Sequence, residues 1–132
     1  MNREILFRAK KVDGGEWVEG YVVQRYGEWF IYDIKNADTC RQNSYLVYSD
    51  TICQYTGLTD KNGKRIFEND IVFVTDENGC TGQIDTGYGE IDLLKGLWYI
   101  SGRVQNGLYD IYDVFEIEVV GNIFDNSEFL EE

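Results

Sequence analysis

The sequence predicts an all-β fold with at most short helical turns, and three observations carry that prediction. Aromatic residues reach 15% of the chain, and Val, Ile, Tyr, Phe and Trp dominate an apolar share of 43%, the mix that suits a pleated, half-buried surface. Glycines and Asn-Gly or Asp-Gly steps recur along the chain, cutting it into short segments as turns with positive φ require. About ten of those segments read as strands, and that many in one chain imply a barrel or a sandwich. A length of 132 residues suits one domain, large enough to bury a core without cross-links.

From the N-terminus, Ile5–Val12, Trp17–Gln24 and Trp29–Asp33 read as strands separated by Asp13-Gly14-Gly15 and Tyr26-Gly27-Glu28, an antiparallel meander. Residues 35–44 are polar and aperiodic, as a connecting loop is. Tyr45–Tyr48 and Thr51–Thr56 are strand material, and Thr59-Asp60-Lys61-Asn62-Gly63-Lys64 is a reversal in which Asn-Gly supports positive φ cheaply. Asp70–Thr75 is a strand, Asp76-Glu77-Asn78-Gly79 a second Asn-Gly turn, and Cys80–Thr86 its returning strand. Further strands are expected at Glu90–Leu94, Leu97–Ile100, Tyr109–Ile111 and Glu116–Ile123, with the intervening glycines marking turns, bulges or close backbone approach. Helical turns are expected only at Tyr112–Phe115 and near residue 128, where Asn126 or Ser127 can cap a single turn. Proline is absent, so exposed edge strands need charge, bulges or a partner chain to protect them.

Charge narrows the function classes. The net charge is −12, and it is unevenly spread: residues 1–50 carry net −1, residues 51–100 net −4 and residues 101–132 net −7. Such a field opposes phosphate backbones and anionic membranes, so nucleic acid is a disfavoured partner, while a cationic protein surface is a favoured one. No apolar run approaches the roughly 18 residues that cross a bilayer, and the start lacks the apolar stretch of a secretory signal. The expected location is therefore the cytoplasm. Cys40, Cys53 and Cys80 form no C-x-x-C pair, which fits free thiols and neither a disulfide framework nor a zinc site.

The chain contains no histidine, which removes Ser-His-Asp and Cys-His catalysis, HExxH zinc sites and imidazole bases. It has no phosphate-binding glycine motif either. Asp85, Glu90 and Asp92, or Asp110, Asp113 and Glu116, are the sets that a carboxylate-pair hydrolase could draw on, although a solvated acidic surface explains them more simply. Asp76, Asn78, Gly79 and Asp85 have partial EF-hand spacing, but Val74 stands at the first ligand position and defeats it. Cys80-Thr81 has no base or cation beside it in sequence to activate a nucleophile. Arg8, Lys10, Lys11 and Arg25 lie near Trp17, Tyr26 and Trp29, the pairing of cations with stacking surfaces that single-strand binders use; a solvated face over an aromatic core is the plainer reading.

Four segments give a resemblance. Arg3–Arg8, Gly15–Tyr21, Gln54–Val72 (QYTGLTDKNGKRIFENDIV) and Glu118–Asp125 (EVVGNIFD) occur in the order found in the YopX family of phage and prophage proteins, which this chain resembles from residue 3 to about 130. The family usually has glycine before the Asp-Ile-Val strand, whereas Asn69 stands here and tolerates positive φ as well. The resemblance implies one YopX-like domain over residues 1–132, encoded by a phage or prophage and acting in the bacterial cytoplasm. It brings no catalytic, cofactor or metal residue to carry over. By analogy with hairpin units of this kind, the expected architecture is an SH3-like small barrel with an additional β-subdomain.

The function expected from these features is a non-enzymatic accessory protein that binds host or phage proteins and associates with itself, with no cofactor. A nucleotide binder built on Gly87, Gly89, Tyr88 and Tyr99 is the alternative, and a nucleic-acid module on Arg8, Lys10 and Lys11 comes after it.

Overall fold

Turn chemistry sets the first reversals. Tyr26 and Gly27 both take positive φ, 52° and 79°, as a two-residue hairpin turn matched to strand twist requires, so Arg25 and Glu28 pair directly across it. The computed structural model describes residues 5–33, 44–77, 81–94, 97–102, 106–107 and 116–130. The chain falls into two compact units, residues 1–57 and 58–132.

In the first unit β1 (Phe7–Lys10), β2 (Trp17–Arg25), β3 (Glu28–Asp33) and β4 (Ser44–Leu46) form the antiparallel meander. β5 (Cys53–Thr59) returns to pair with β1 on its other side. Alternation along the strands sends Ala9, Val18 and Ile31 to one face, where they close a core with Val47, and Phe7, Val22, Trp29, Tyr45 and Ile52 pack around it. A 3-10 turn at Ser49–Thr51 replaces the start expected for the Thr51–Thr56 strand. The Thr51 hydroxyl is the cause: it donates to the Tyr48 carbonyl and accepts from Lys10 N, local bonding that competes with a ladder.

Leu58 and Thr59, the last residues of β5, belong to the second unit, where β6 (Arg65–Phe67) lies next to that strand. A five-stranded antiparallel sheet follows, ordered β10-β9-β8-β7-β11, from β7 (Asp70–Glu77), β8 (Ile84–Leu94), β9 (Leu97–Gly102), β10 (Asn106–Gly107) and β11 (Glu116–Asn122). One face of it carries Val72, Val74, Ile91, Trp98, Ile100, Ile117 and Val119, which form a core with Ile66.

Three expectations need correction. Neither strand order closes on itself among the described residues, so the mainly-β class holds but the SH3-like barrel does not. Cys80–Thr86 and Glu90–Leu94 are not two strands; Ile84–Leu94 is one, running through Gly87 and Gly89. The reason is packing: a Cβ on Gly89 would lie 2.5 Å from Ile100 Cγ2 and 3.1 Å from the Ser101 carbonyl, so glycine here admits the neighbouring strand and makes no turn. With Glu77 paired to Ile84, the connection is also longer than a tight Asn-Gly hairpin. The terminal helical turn exists as a 3-10 turn at Ser127–Leu130. Tyr109–Ile111, Tyr112–Phe115 and most of the loop at 35–44 lie outside the described residues.

Candidate interaction faces

The same alternation that buries Ala9 and Val18 turns Arg8, Lys10, Trp17, Tyr21, Arg25, Phe30 and Tyr32 to the opposite face of the N-terminal sheet. The register aligns them: Lys10 opposes Trp17, Tyr21 opposes Tyr32, and Val23 opposes Phe30. The Arg8 guanidinium sits 4.7 Å and Lys10 Nζ 5.4 Å from the Trp17 ring centre, and the Arg25 guanidinium lies 5.0 Å from Phe30 and 5.8 Å from Tyr32. These are cation–π distances. Glu19 and Glu28 share the face.

Three of the four cations singled out in the sequence are thus on one surface with Trp17, while Lys11 is not. It lies on the core side of β1, bridged to Val47, with its Nζ 3.9 Å from the Tyr45 ring centre, at a recess of about 260 Å³ lined also by Val12, Asp13, Glu16 and Leu46. Trp29 packs against the core, and Tyr26 stands fully exposed on the turn. Phe30 and Tyr32 were the members missed by sequence reasoning. The signal was present, since pairing across a Tyr26-Gly27 turn puts residues 30 and 32 on the face of Arg25.

The second face of the C-terminal sheet has a different character. Tyr88 packs between Phe73 and Phe129, with ring centres 5.1 and 5.2 Å away. Glu90 and Asp92 share this face, as do Glu116 and Glu118 of β11 through their partners Thr75 and Phe73. Burial, and behind it the neighbouring Asp92 charge, pushes the Glu90 carboxyl above its ordinary range. Lys61 Nζ lies 3.9 Å from Glu116, and Asn62 Nδ2 donates to Glu118 at 3.5 Å. Exposed apolar residues border the acids: Ile84 at 63% and Leu97 at 58%. Of the expected carboxylate sets, Glu90 and Asp92 are together; the Asp85 side chain and Asp110 and Asp113 lie outside what is described. The same holds for Asn78 and Gly79 of the EF-hand-like spacing and for Cys40 and Cys80. Among the described residues no group of three His, Cys, Asp or Glu side chains is placed to hold a metal ion.

The residues that carry the resemblance in the central motif are structural. Asp60 is buried, and its Oδ1 accepts from Asn62 N and Lys64 N at 2.9 Å each, closing the turn. Its Oδ2 accepts from Val119 N at 2.9 Å, and Lys61 N donates to the Ile117 carbonyl, so the turn covers one edge of β11. Burial alone works to raise the Asp60 pKa, but the bonds from Val119, Lys64 and Asn62 and the Lys64 charge outweigh it and hold the carboxyl below its ordinary range. Asn69 takes φ 68°, and Asp70, fully buried, accepts from Phe67 N. Asn122 Oδ1 accepts from Phe124 N and Asp125 N. Asn126, expected as a helix cap, accepts from Asn122 N through its side chain and so caps the end of β11. Cys53 is buried with its Sγ 3.2 Å from the Thr51 carbonyl.

The glycines offered to a nucleotide are likewise engaged in packing. Gly87 and Gly89 are buried within β8, Gly89 against Ile100, and Tyr88 is flanked by two aromatic rings. No helix of the described residues is long and apolar enough to cross a membrane. The family described as YopX protein matches residues 6–131, nearly the whole chain. No curated protein matches it.

Proposed function

The chain belongs to the YopX family, and from that premise we propose that it is a non-catalytic protein-interaction module, encoded by a phage or prophage, which works in the bacterial cytoplasm and also associates with itself. The observation that supports this most is the pair of solvent-facing sheet surfaces with unlike chemistry. One carries cations stacked on aromatic rings; the other carries Glu90, Asp92, Glu116 and Glu118 beside Tyr88 and Leu97. Faces of this composition suit protein partners, because aromatic and arginine residues anchor interfaces and complementary charge sets encounter rate and register.

The absence of histidine from the whole chain and the structural use of Asp60, Asp70 and Asn122 favour binding over catalysis. Nucleic acid is the poorer partner, since Trp17 already holds two cations where a base would stack and the net charge of −12 repels phosphates. The test is capture from host lysate by the immobilised full chain, with the retained protein identified. A partner held at about 0.1 M salt and released at about 1 M, where the screening length falls from about 10 to about 3 Å, is the expected result. Capture indifferent to salt, or none at either strength, counts against the reading.

A further inference from the structure

The two units differ sharply in net charge. Residues 1–57 hold seven basic and eight acidic side chains, net −1, whereas residues 58–132 hold five basic and sixteen acidic, net −11. That disparity constrains how copies of the chain can meet. Two C-terminal units brought together set −11 against −11, and like-charge apposition is strongly unfavourable. An N-terminal unit against a C-terminal unit carries almost no such repulsion and adds a local attraction.

We propose that the cation-aromatic face of the N-terminal unit docks on the acidic second face of the C-terminal sheet in another copy of the chain; this rests on the interaction-module reading above and names its partner. Arg8, Lys10 and Arg25 supply the charge. Arg25 lies beside Phe30 and Tyr32 and Lys10 beside Trp17, and a guanidinium carries forked N–H donors that match a carboxylate. Arg25 and Tyr21 are exposed, Tyr21 at 59%, and the facing surface presents exposed Asp92 and Glu116 with Leu97 and the edge of Tyr88. Aromatic and aliphatic contact surrounded by opposite charges is the anatomy of a protein interface. Because unlike surfaces meet, the contact is heterologous, so the assembly closes as a ring or grows head to tail.

The experiment is sedimentation equilibrium of the full chain at about 0.1 M and about 1 M salt, with two charge-reversed proteins. One carries Lys10→Glu and Arg25→Glu, the other Asp92→Lys and Glu116→Lys; milder Lys10→Gln and Arg25→Gln forms, checked by circular dichroism, guard against misfolding. The expected result is association of the wild type at the lower salt, weakened at least about tenfold by either reversal, and recovered when the two reversed proteins are mixed. A wild type that stays monomeric, or reversed proteins that associate as the wild type does, overturns the docking. A monomeric wild type that still captures a lysate protein in a salt-dependent way removes self-association and leaves the binding of other proteins standing, whereas a monomer that captures nothing ends both.

Discussion

Asp60 shows how one side chain can hold two elements. Its carboxylate accepts three backbone N–H bonds, two from its own turn and one from Val119, and an anion accepting several such bonds is stabilised well beyond what burial costs it. An amide in the same place offers one acceptor oxygen and turns an NH2 group toward an N–H. Asp60→Asn should therefore destabilise the protein by about 2–3 kcal/mol, read as a lowered urea midpoint with an unchanged slope. An unchanged midpoint would mean that these bonds are replaced by water at no loss. The substitution should also raise the tendency to aggregate, because Asp60 and Lys61 together occupy the Val119 N–H and Ile117 carbonyl on one edge of β11, and open strand edges recruit other chains. This role was invisible in the sequence. Turn chemistry announced that Asp60-Lys-Asn-Gly63 reverses the chain, but the bond to Val119 joins residues 59 positions apart, and no local pattern encodes it.

At the scale of the element, the strands and turns of β1 to β3 were legible and the structure supplies their register, because the turn expected at Tyr26-Gly27-Glu28 closes in two residues. Once Arg25 opposes Glu28, every side chain from 17 to 33 is assigned to a face, since a strand repeats every two residues. The same logic failed at β8. Gly87 and Gly89 looked like punctuation, so one strand was divided into two, and the rule that glycine weakens a strand lost to the close approach of Ile100 and Ser101. Gly89→Ala tests which account is right. If packing requires glycine, the variant loses about 1–3 kcal/mol through the forced displacement of a buried neighbour, and chemical denaturation will report it. If Gly89 served instead to admit a ligand's phosphate, stability would hold, and the variant's urea curve would overlay the wild type. Strand closure was the other failure: a count of about ten strands fits a barrel or open sheets equally well, and the choice depends on long-range pairing.

For the whole molecule, acidity governs the response to pH, and two carboxyls pull stability in opposite directions. Glu90, raised above its ordinary value by burial and then by Asp92, holds its proton more tightly folded than unfolded, so its contribution is present below the unfolded value and is lost as pH rises through the folded one. Asp60, lowered because its backbone bonds and Lys64 outweigh burial, does the reverse: its contribution is present above the unfolded value and is lost as pH falls through the folded one. Self-repulsion among the excess carboxylates also relaxes as pH falls toward the isoelectric point near 4.3. The thermal midpoint should therefore rise as the pH drops from about 7 to about 5, then fall steeply below about 4, where ordinary carboxylates protonate. Dilute samples in differential scanning fluorimetry are suited to this, because solubility is lowest near the isoelectric point. Glu90→Gln should flatten the rise without removing it, the remainder being the shared repulsion, and Asp60→Asn should flatten the acid fall. A midpoint that declines steadily from pH 7 downward would mean that neither the burial of Glu90 nor the concentration of charge in residues 58–132 strains the fold at neutral pH.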